Sequence, residues 1–207
     1  MKVALTGGIA CGKSLLSQFL NELGVETLDA DDVVHEFLPD PEERRRIAAE
    51  VFADPEKRRA LEAKLHPIVK ERIDEWLDRT RGTNRATGTD MTNGTSACPV
   101  SLGGLVCPVR VAIIPLLFEA HWEKNFDIIC CVVSSREKQI ERMTATRGMT
   151  LAEAEARLAA QMPVEEKAKR SHYVIHNNGT AEELKAQAAA FLKFVMQKQV
   201  QPKLPND

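Results

Sequence analysis

The sequence predicts an α/β fold in which a five-stranded parallel sheet is flanked by helices and carries a helical subdomain between its second and third strands. Two observations carry this expectation. Five short apolar runs, at 2–6, 25–28, 109–114, 128–133 and 173–175, alternate with stretches of helical periodicity. The first run leads directly into Gly7-Gly8-Ile9-Ala10-Cys11-Gly12-Lys13-Ser14, which satisfies G-x-x-x-x-G-K-[ST] where a strand should turn into a helix.

Each element has its own signature. After the glycine loop, residues 13–23 place Leu15, Leu16, Phe19, Leu20 and Leu23 on a helix face that Gly24 ends. The second strand runs into Asp29-Ala30-Asp31-Asp32, a capping sequence for a helix through His35 or beyond. From 41 to 79 the composition is helical, with Ile47, Val51, Leu61, Leu65, Ile68, Val69, Ile73, Trp76 and Leu77 on the apolar side. Residues 80–108 break the pattern with Thr, Gly, Asn and Ser, and so read as an atypical inserted loop. The runs at 109–114 and 128–133 are continuously apolar, as in strands buried on both faces. Helical patterns follow at 136–146, 151–161 and 182–195, the last with Leu184, Ala188, Phe191, Leu192 and Val195 in register. The division expected is therefore 1–37 with 109–200 as the core, 38–79 as the helical subdomain and 201–207 as a tail.

Composition narrows the function. With 43% hydrophobic and 28% charged residues and a net charge of -2, the chain has no basic field to draw it onto nucleic acid or anionic lipid. No apolar run is long enough for a membrane span. The five cysteines form no C-x-x-C pair, and residues 1–6 are too short an apolar stretch for a signal peptide, so a cytoplasmic monomer is expected.

The glycine loop is the strongest chemical signal. A loop of this pattern turns backbone N–H groups toward phosphate oxygens, lets Lys13 reach the β- and γ-phosphates of ATP, and leaves the Ser14 hydroxyl to bind Mg²⁺. The pattern resembles the loop of a P-loop NTPase, and that is the fold expected. Asp29 and Asp31 follow the second strand, at the sheet edge where open α/β folds place ligands. Either carboxylate suits deprotonation of an acceptor hydroxyl or a hold on the metal through water, and either suits an N-cap equally well. Arg136, Arg142, Arg147 and Arg157 lie on a helix pair broken at Gly148-Met149-Thr150, with Thr150 placed to cap the second helix. Such a hairpin suits a lid over 147–163 that brings Arg142 and Arg147 to phosphoryl charge and excludes water. His66-Pro67 reads as a helix start and Leu116-Leu117-Phe118-Glu119 as core. An N-K-x-D base-reading motif, usual in guanine-nucleotide switches, does not occur.

Together these motifs resemble dephospho-CoA kinase. The likeness rests on ALTGGIACGKS at 4–14, LDAD at 28–31, VFADPEKRRALEAKLHP at 51–67, IPLLFE at 114–119, RGMT at 147–150, AQMPVEEK at 160–167 and VIHNNGT at 174–180. What the resemblance implies is ATP-dependent phosphorylation of the ribose 3′-hydroxyl of dephospho-CoA. Gly7 to Ser14, with Leu15, would hold ATP and Mg²⁺, Asn177 would lie near the adenine, and Asp31 would be the general base. His66 and Leu116, Leu117, Phe118 and Glu119 would line the dephospho-CoA site, and 38–79 would be the CoA-binding subdomain. The chain departs from the family pattern where Ala10-Cys11 stand for Gly-Ser, where Leu38-Pro39-Asp40 follows the LDAD helix directly, and across 80–108. The residues by themselves leave open another small-molecule kinase with a nucleoside or nucleotide acceptor, or a non-catalytic ATP-binding protein.

Overall fold

The computed structural model describes residues 1–38, 40, 42–47, 54–78 and 109–200. The inserted loop and the tail read from the sequence at 80–108 and 201–207, with Val51 and Cys98 and Cys107, lie outside the described residues. In chain order the elements are β1 (Val3–Gly7), α1 (Lys13–Glu22), β2 (Glu26–Asp29), α2 (Ala30–Phe37), α3 (Pro55–Asp78), β3 (Arg110–Ile113), β4 (Ile128–Val133), α4 (Arg136–Arg147), α5 (Leu151–Ala159), α6 (Val164–Lys169), β5 (Tyr173–His176) and α7 (Ala181–Val200). A short helical stretch also covers 42–47. All five predicted strands form, within a residue or two at their ends, whereas α6 was not foreseen.

The strands make one five-stranded sheet in the order β2-β3-β1-β4-β5. β1 pairs in parallel with β3 through Val3 opposite Val111, and with β4 through Val3 opposite Ile128. β5 pairs in parallel with β4 through Cys130 opposite Tyr173. The connection leaving β1 runs outward to β2, while that leaving β4 runs the other way to β5. The carboxyl ends of β1 and β4 therefore flank the crevice where open sheets of this type bind ligands.

Two compact units compose the chain, and the division falls at Leu28, inside β2, so that α2 groups with α3. In the first unit every residue of β1 and β4 is buried. Leu16, Leu20 and Leu23 of the first helical pattern, and Leu184, Ala188, Phe191, Leu192 and Val195 of α7, join the same core. Leu15 departs from the expected helix face and is 36% exposed. In the second unit α2 packs on α3, and Arg72 Nε stands 3.6 Å from Glu36 Oε2. Val69 and Ile73 are buried, but Ile68 is 40% exposed and leaves the apolar side predicted for it.

The expectation that His66-Pro67 begins a helix is corrected: Pro67 sits inside α3. Proline removes one i→i−4 hydrogen bond there. Pro67 and Ala63, the residue whose carbonyl loses that bond, are both exposed, so water can take the donor's place.

Cys11, Cys130 and Cys131 are free thiols, all buried. Burial pushes the Cys131 thiol up to about 12 from its ordinary 9.0, and burial likewise raises Cys130 and Cys11. A group raised in this way keeps its proton in the native state after the unfolded chain has released it. The thiols' contribution to folding stability is thus fully present below about pH 9 and falls as pH rises toward 12. Urea midpoints on the two sides of that range should show the decline, and Cys131→Ala should show less of it. Equal declines in both proteins would remove Cys131 as a cause.

Candidate phosphate-binding site

The loop between β1 and α1 owes its shape to what surrounds its carbonyl oxygens. Gln139 Nε2, on α4, donates to Ile9 O at 2.7 Å and approaches Cys11 Sγ at 3.2 Å. Arg142 Nη1 donates to Ala10 O at 3.1 Å, and Asn177 Nδ2 donates to Cys11 O at 2.9 Å. Lys13 folds back so that its Nζ donates to Gly7 O at 3.1 Å and to Gly8 O at 2.9 Å. Carbonyls from Gly7 to Cys11 are thereby all engaged. Among the described residues, no acceptor meets the amide N–H groups of Gly8, Ala10, Gly12 and Ser14.

Close approach explains the glycines. At Gly12 φ is 93°, in the left-handed region, and a Cβ would run into Asn177 Nδ2. At Gly7 a Cβ would collide with Val132 O of the neighbouring strand. Ala10 also has a positive φ, 57°, in spite of its Cβ, a conformation that costs about 1 kcal/mol relative to glycine. Its carbonyl bond to Arg142 holds it there.

The frame behind the loop is itself cross-linked. Arg142 Nη1 also donates to Ser134 Oγ at 3.0 Å, and its Nη2 donates to Asn177 O at 2.8 Å. Ser134 Oγ donates to Asn177 O at 2.8 Å, and Asn177 N donates to Val133 O at 2.8 Å. Arg142 and Asn177 thus stand as struts of the loop. Arg147 lies at the end of α4, exposed and without a partner among the described residues. Ser14 is exposed in the first turn of α1, and its hydroxyl has no partner among the described residues.

The α4–α5 hairpin is built as its sequence suggests. Gly148 ends α4 at φ 62°. Thr150 caps α5 in a reciprocal capping box with Glu153. Arg136 Nη2 contacts Glu155 Oε1 at 3.1 Å and ties the two helices together. Beyond α5, Gln161 Oε1 accepts from Ile9 N at 3.2 Å, so the hairpin's exit reaches the loop.

Below this contact lies a buried ion pair. Lys167 Nζ, on α6, is fully buried and stands 2.7 Å from Glu119 Oε1, donating also to Pro115 O at 2.9 Å. Met162 N donates to the same Glu119 oxygen at 3.1 Å. Leu117 and Phe118 are core residues, as read from their apolar character, and Arg170 covers the Phe118 ring at 4.6 Å. Leu116 instead is 38% exposed.

In the second unit, Asp29 is the N-cap of α2 and accepts from Asp31 N at 2.9 Å. Capping is therefore the task of Asp29. Asp31 is exposed in the first turn, and its carboxylate has no partner among the described residues. His66 is half-buried on α3.

Residue patterns did not single out Gln139, Ser134, Gln161 or Lys167. Gln161 and Lys167 lie within the AQMPVEEK block, whose helical start at Pro163 was a readable signal. Ser134 follows β4 at the crevice, and only the strand order reveals its place.

Comparison with known proteins settles the family. A family model described as dephospho-CoA kinase matches residues 1–43 and 103–183. This chain belongs to the dephospho-CoA kinase family. Among relatives, the dephospho-CoA kinase of Synechococcus sp. (strain JA-3-3Ab) is 36% identical over 89% of this chain and 88% of its own. That of Geobacter sulfurreducens is 35% identical over 88% of this chain and 92% of its own. The crystal structure of TT1252 from Thermus thermophilus is 30% identical, with a TM-score of 0.70 over 97% of this chain and 98% of its own. A dephospho-CoA kinase from Campylobacter jejuni, 22% identical, shares the fold with a TM-score of 0.63 over 97% of this chain and 100% of its own.

Breaking the Lys167–Glu119 pair should be costly, because a buried carboxylate loses its counter-charge. Lys167→Met is expected to lower stability by about 3 kcal/mol, near the low end for such pairs because Glu119 retains 24% exposure. Urea unfolding would measure it. An unchanged midpoint would show that the pair contributes nothing.

Proposed function

We propose that this chain transfers the γ-phosphoryl group of ATP to the ribose 3′-hydroxyl of dephospho-CoA, giving CoA and ADP. The observation that carries the reading is the loop itself: its carbonyls are engaged, while the N–H groups of Gly8, Ala10, Gly12 and Ser14 are not. Four unspent donors beside a lysine ammonium at a helix start suit the oxygens of a polyphosphate. Membership of the family supplies the acceptor.

ATP would supply the phosphoryl group, and Mg²⁺ would neutralise part of its charge. The Ser14 hydroxyl, a hard oxygen donor without a partner among the described residues, fits such a metal, with Asp29 acting through water. Lys13, held over the loop by Gly7 O and Gly8 O, is a cation of suitable reach for the phosphates. Arg142 keeps the loop's shape, and Arg147, without a partner among the described residues, is the arginine left to meet phosphoryl charge. The hairpin and its exit, 147–163, would be the lid that keeps water from the reaction.

Asp31 would take the proton of the 3′-hydroxyl. Its carboxylate has no partner among the described residues, as a general base requires, and Asp29 does the capping in its stead. The helical unit, with His66 on α3, and the Leu116 to Glu119 turn would receive the acceptor. Buried free thiols and a net charge of -2 suit a reducing cytoplasm and a monomer that binds neither nucleic acid nor membrane. Among the described residues no helix is long and apolar enough to cross a membrane.

The test is ADP release from ATP and Mg²⁺ with dephospho-CoA, compared with adenosine, AMP and shikimate. Stimulation by dephospho-CoA alone, with CoA as product, is the expected result, and stimulation by another acceptor in its place would overturn it. Asp31→Asn should leave ATP affinity intact and slow turnover roughly 10²- to 10⁴-fold, the range of a lost general base. Turnover near the parent value would remove Asp31 from that role.

A further inference from the structure

Gln161 occupies a place that its sequence surroundings do not announce. Its Oε1 accepts the amide N–H of Ile9 at 3.2 Å. Only the oxygen of the carboxamide can accept that proton, so the side-chain orientation is fixed by the bond. Nε2 is bonded to the same carbon as Oε1 and therefore also lies at the rim of the loop. Its two N–H donors have no acceptor among the described residues. On either side of Ile9 in the loop, the amides of Gly8 and Ala10 are likewise without an acceptor.

The position of Gln161 is held from below. The next residue, Met162, donates its N–H to Glu119 Oε1 at 3.1 Å, and that oxygen is neutralised by fully buried Lys167 at 2.7 Å. Val164, at the start of α6, is buried. A half-buried glutamine on so fixed a backbone is a placed group rather than a surface side chain that happens to touch the loop.

We propose that Gln161 is a phosphate-binding residue, which uses Oε1 to hold the loop at Ile9 and Nε2 to donate to an oxygen of the nucleoside triphosphate. The inference rests on the reading that this loop binds ATP. It adds a neutral donor from the α5–α6 junction to the backbone donors and Lys13, and makes the hairpin's exit part of the phosphate site. The same residue would then link the ion pair of Glu119 and Lys167 to nucleotide binding.

A purely supporting role for Gln161 needs only an acceptor for Ile9 N–H, which a carboxylate provides at least as well as an amide. Phosphate binding needs the donors, which a carboxylate lacks and replaces with a repelling charge. Gln161→Glu separates the two roles, with Gln161→Ala as the variant that loses both. Calorimetric titration of the whole chain with ATP and Mg²⁺, without acceptor, would be paired with thermal unfolding of each protein alone. With a hydrogen bond to a charged group lost, each variant should bind ATP roughly tenfold or more weakly. Gln161→Glu should keep the parent's thermal midpoint. ATP affinity equal to the parent's in Gln161→Glu, or a loss confined to Gln161→Ala, would overturn the proposal. If the parent chain binds no ATP, the loop reading beneath it fails as well. If ATP affinity falls as expected while dephospho-CoA is not phosphorylated, only the acceptor assignment fails.

Discussion

The loop after β1 depends on hydrogen bonds to its carbonyl oxygens. A backbone turn presents donors and acceptors together, and a polyanion is bound only when the acceptors face elsewhere. Here Gln139, Arg142 and Asn177 take the carbonyls of Ile9, Ala10 and Cys11, and Lys13 takes those of Gly7 and Gly8. The unmet N–H groups follow from that arrangement. Removing the carbonyls' partners would leave the same glycines free to turn either set of groups toward the crevice.

The rest of the first unit serves to place those partners. Parallel pairing of β4 with β1 and β5 brings Ser134 and Asn177, just past two strand ends, to the back of the loop. α4 starts from the Ser135 cap and carries Gln139 and Arg142, one turn or so apart, on the same face. A chain of pairings therefore connects fully buried β4 to the loop at the end of β1. The strained φ of Ala10 belongs to the same economy, since a cost of about 1 kcal/mol is tolerable where a guanidinium holds the carbonyl.

Much of this was legible in the sequence. The strands were visible because each is a short, nearly unbroken apolar run, and Thr150 was legible as a cap because its motif is local. Asp29 and Asp31 were distinguishable only in three dimensions, since both offer a carboxylate near the start of α2 and just one accepts the Asp31 N–H. Pro67 misled because its helix-breaking tendency is a local rule, which an exposed face of α3 relaxes. Gln139 and Ser134 had no readable signal, and the AQMPVEEK block that holds Gln161 says nothing of its contact with the loop. Each acts on a loop more than a hundred residues away in sequence, and no spacing rule spans that distance. Lys167 belongs to a short segment dense in charged residues, yet its ammonium is buried against Pro115 O, in the turn after β3.

Arg142 tests the central claim most directly, because an arginine near a phosphate loop is read equally well as a group that acts only on the transferring phosphoryl. Titration of Arg142→Met with ATP and Mg²⁺, beside its thermal unfolding, separates the two. If the guanidinium holds the loop by Ala10 O and Asn177 O, the variant binds ATP more weakly and melts at a lower temperature. Parent-like ATP affinity and stability with turnover alone lost would contradict the account.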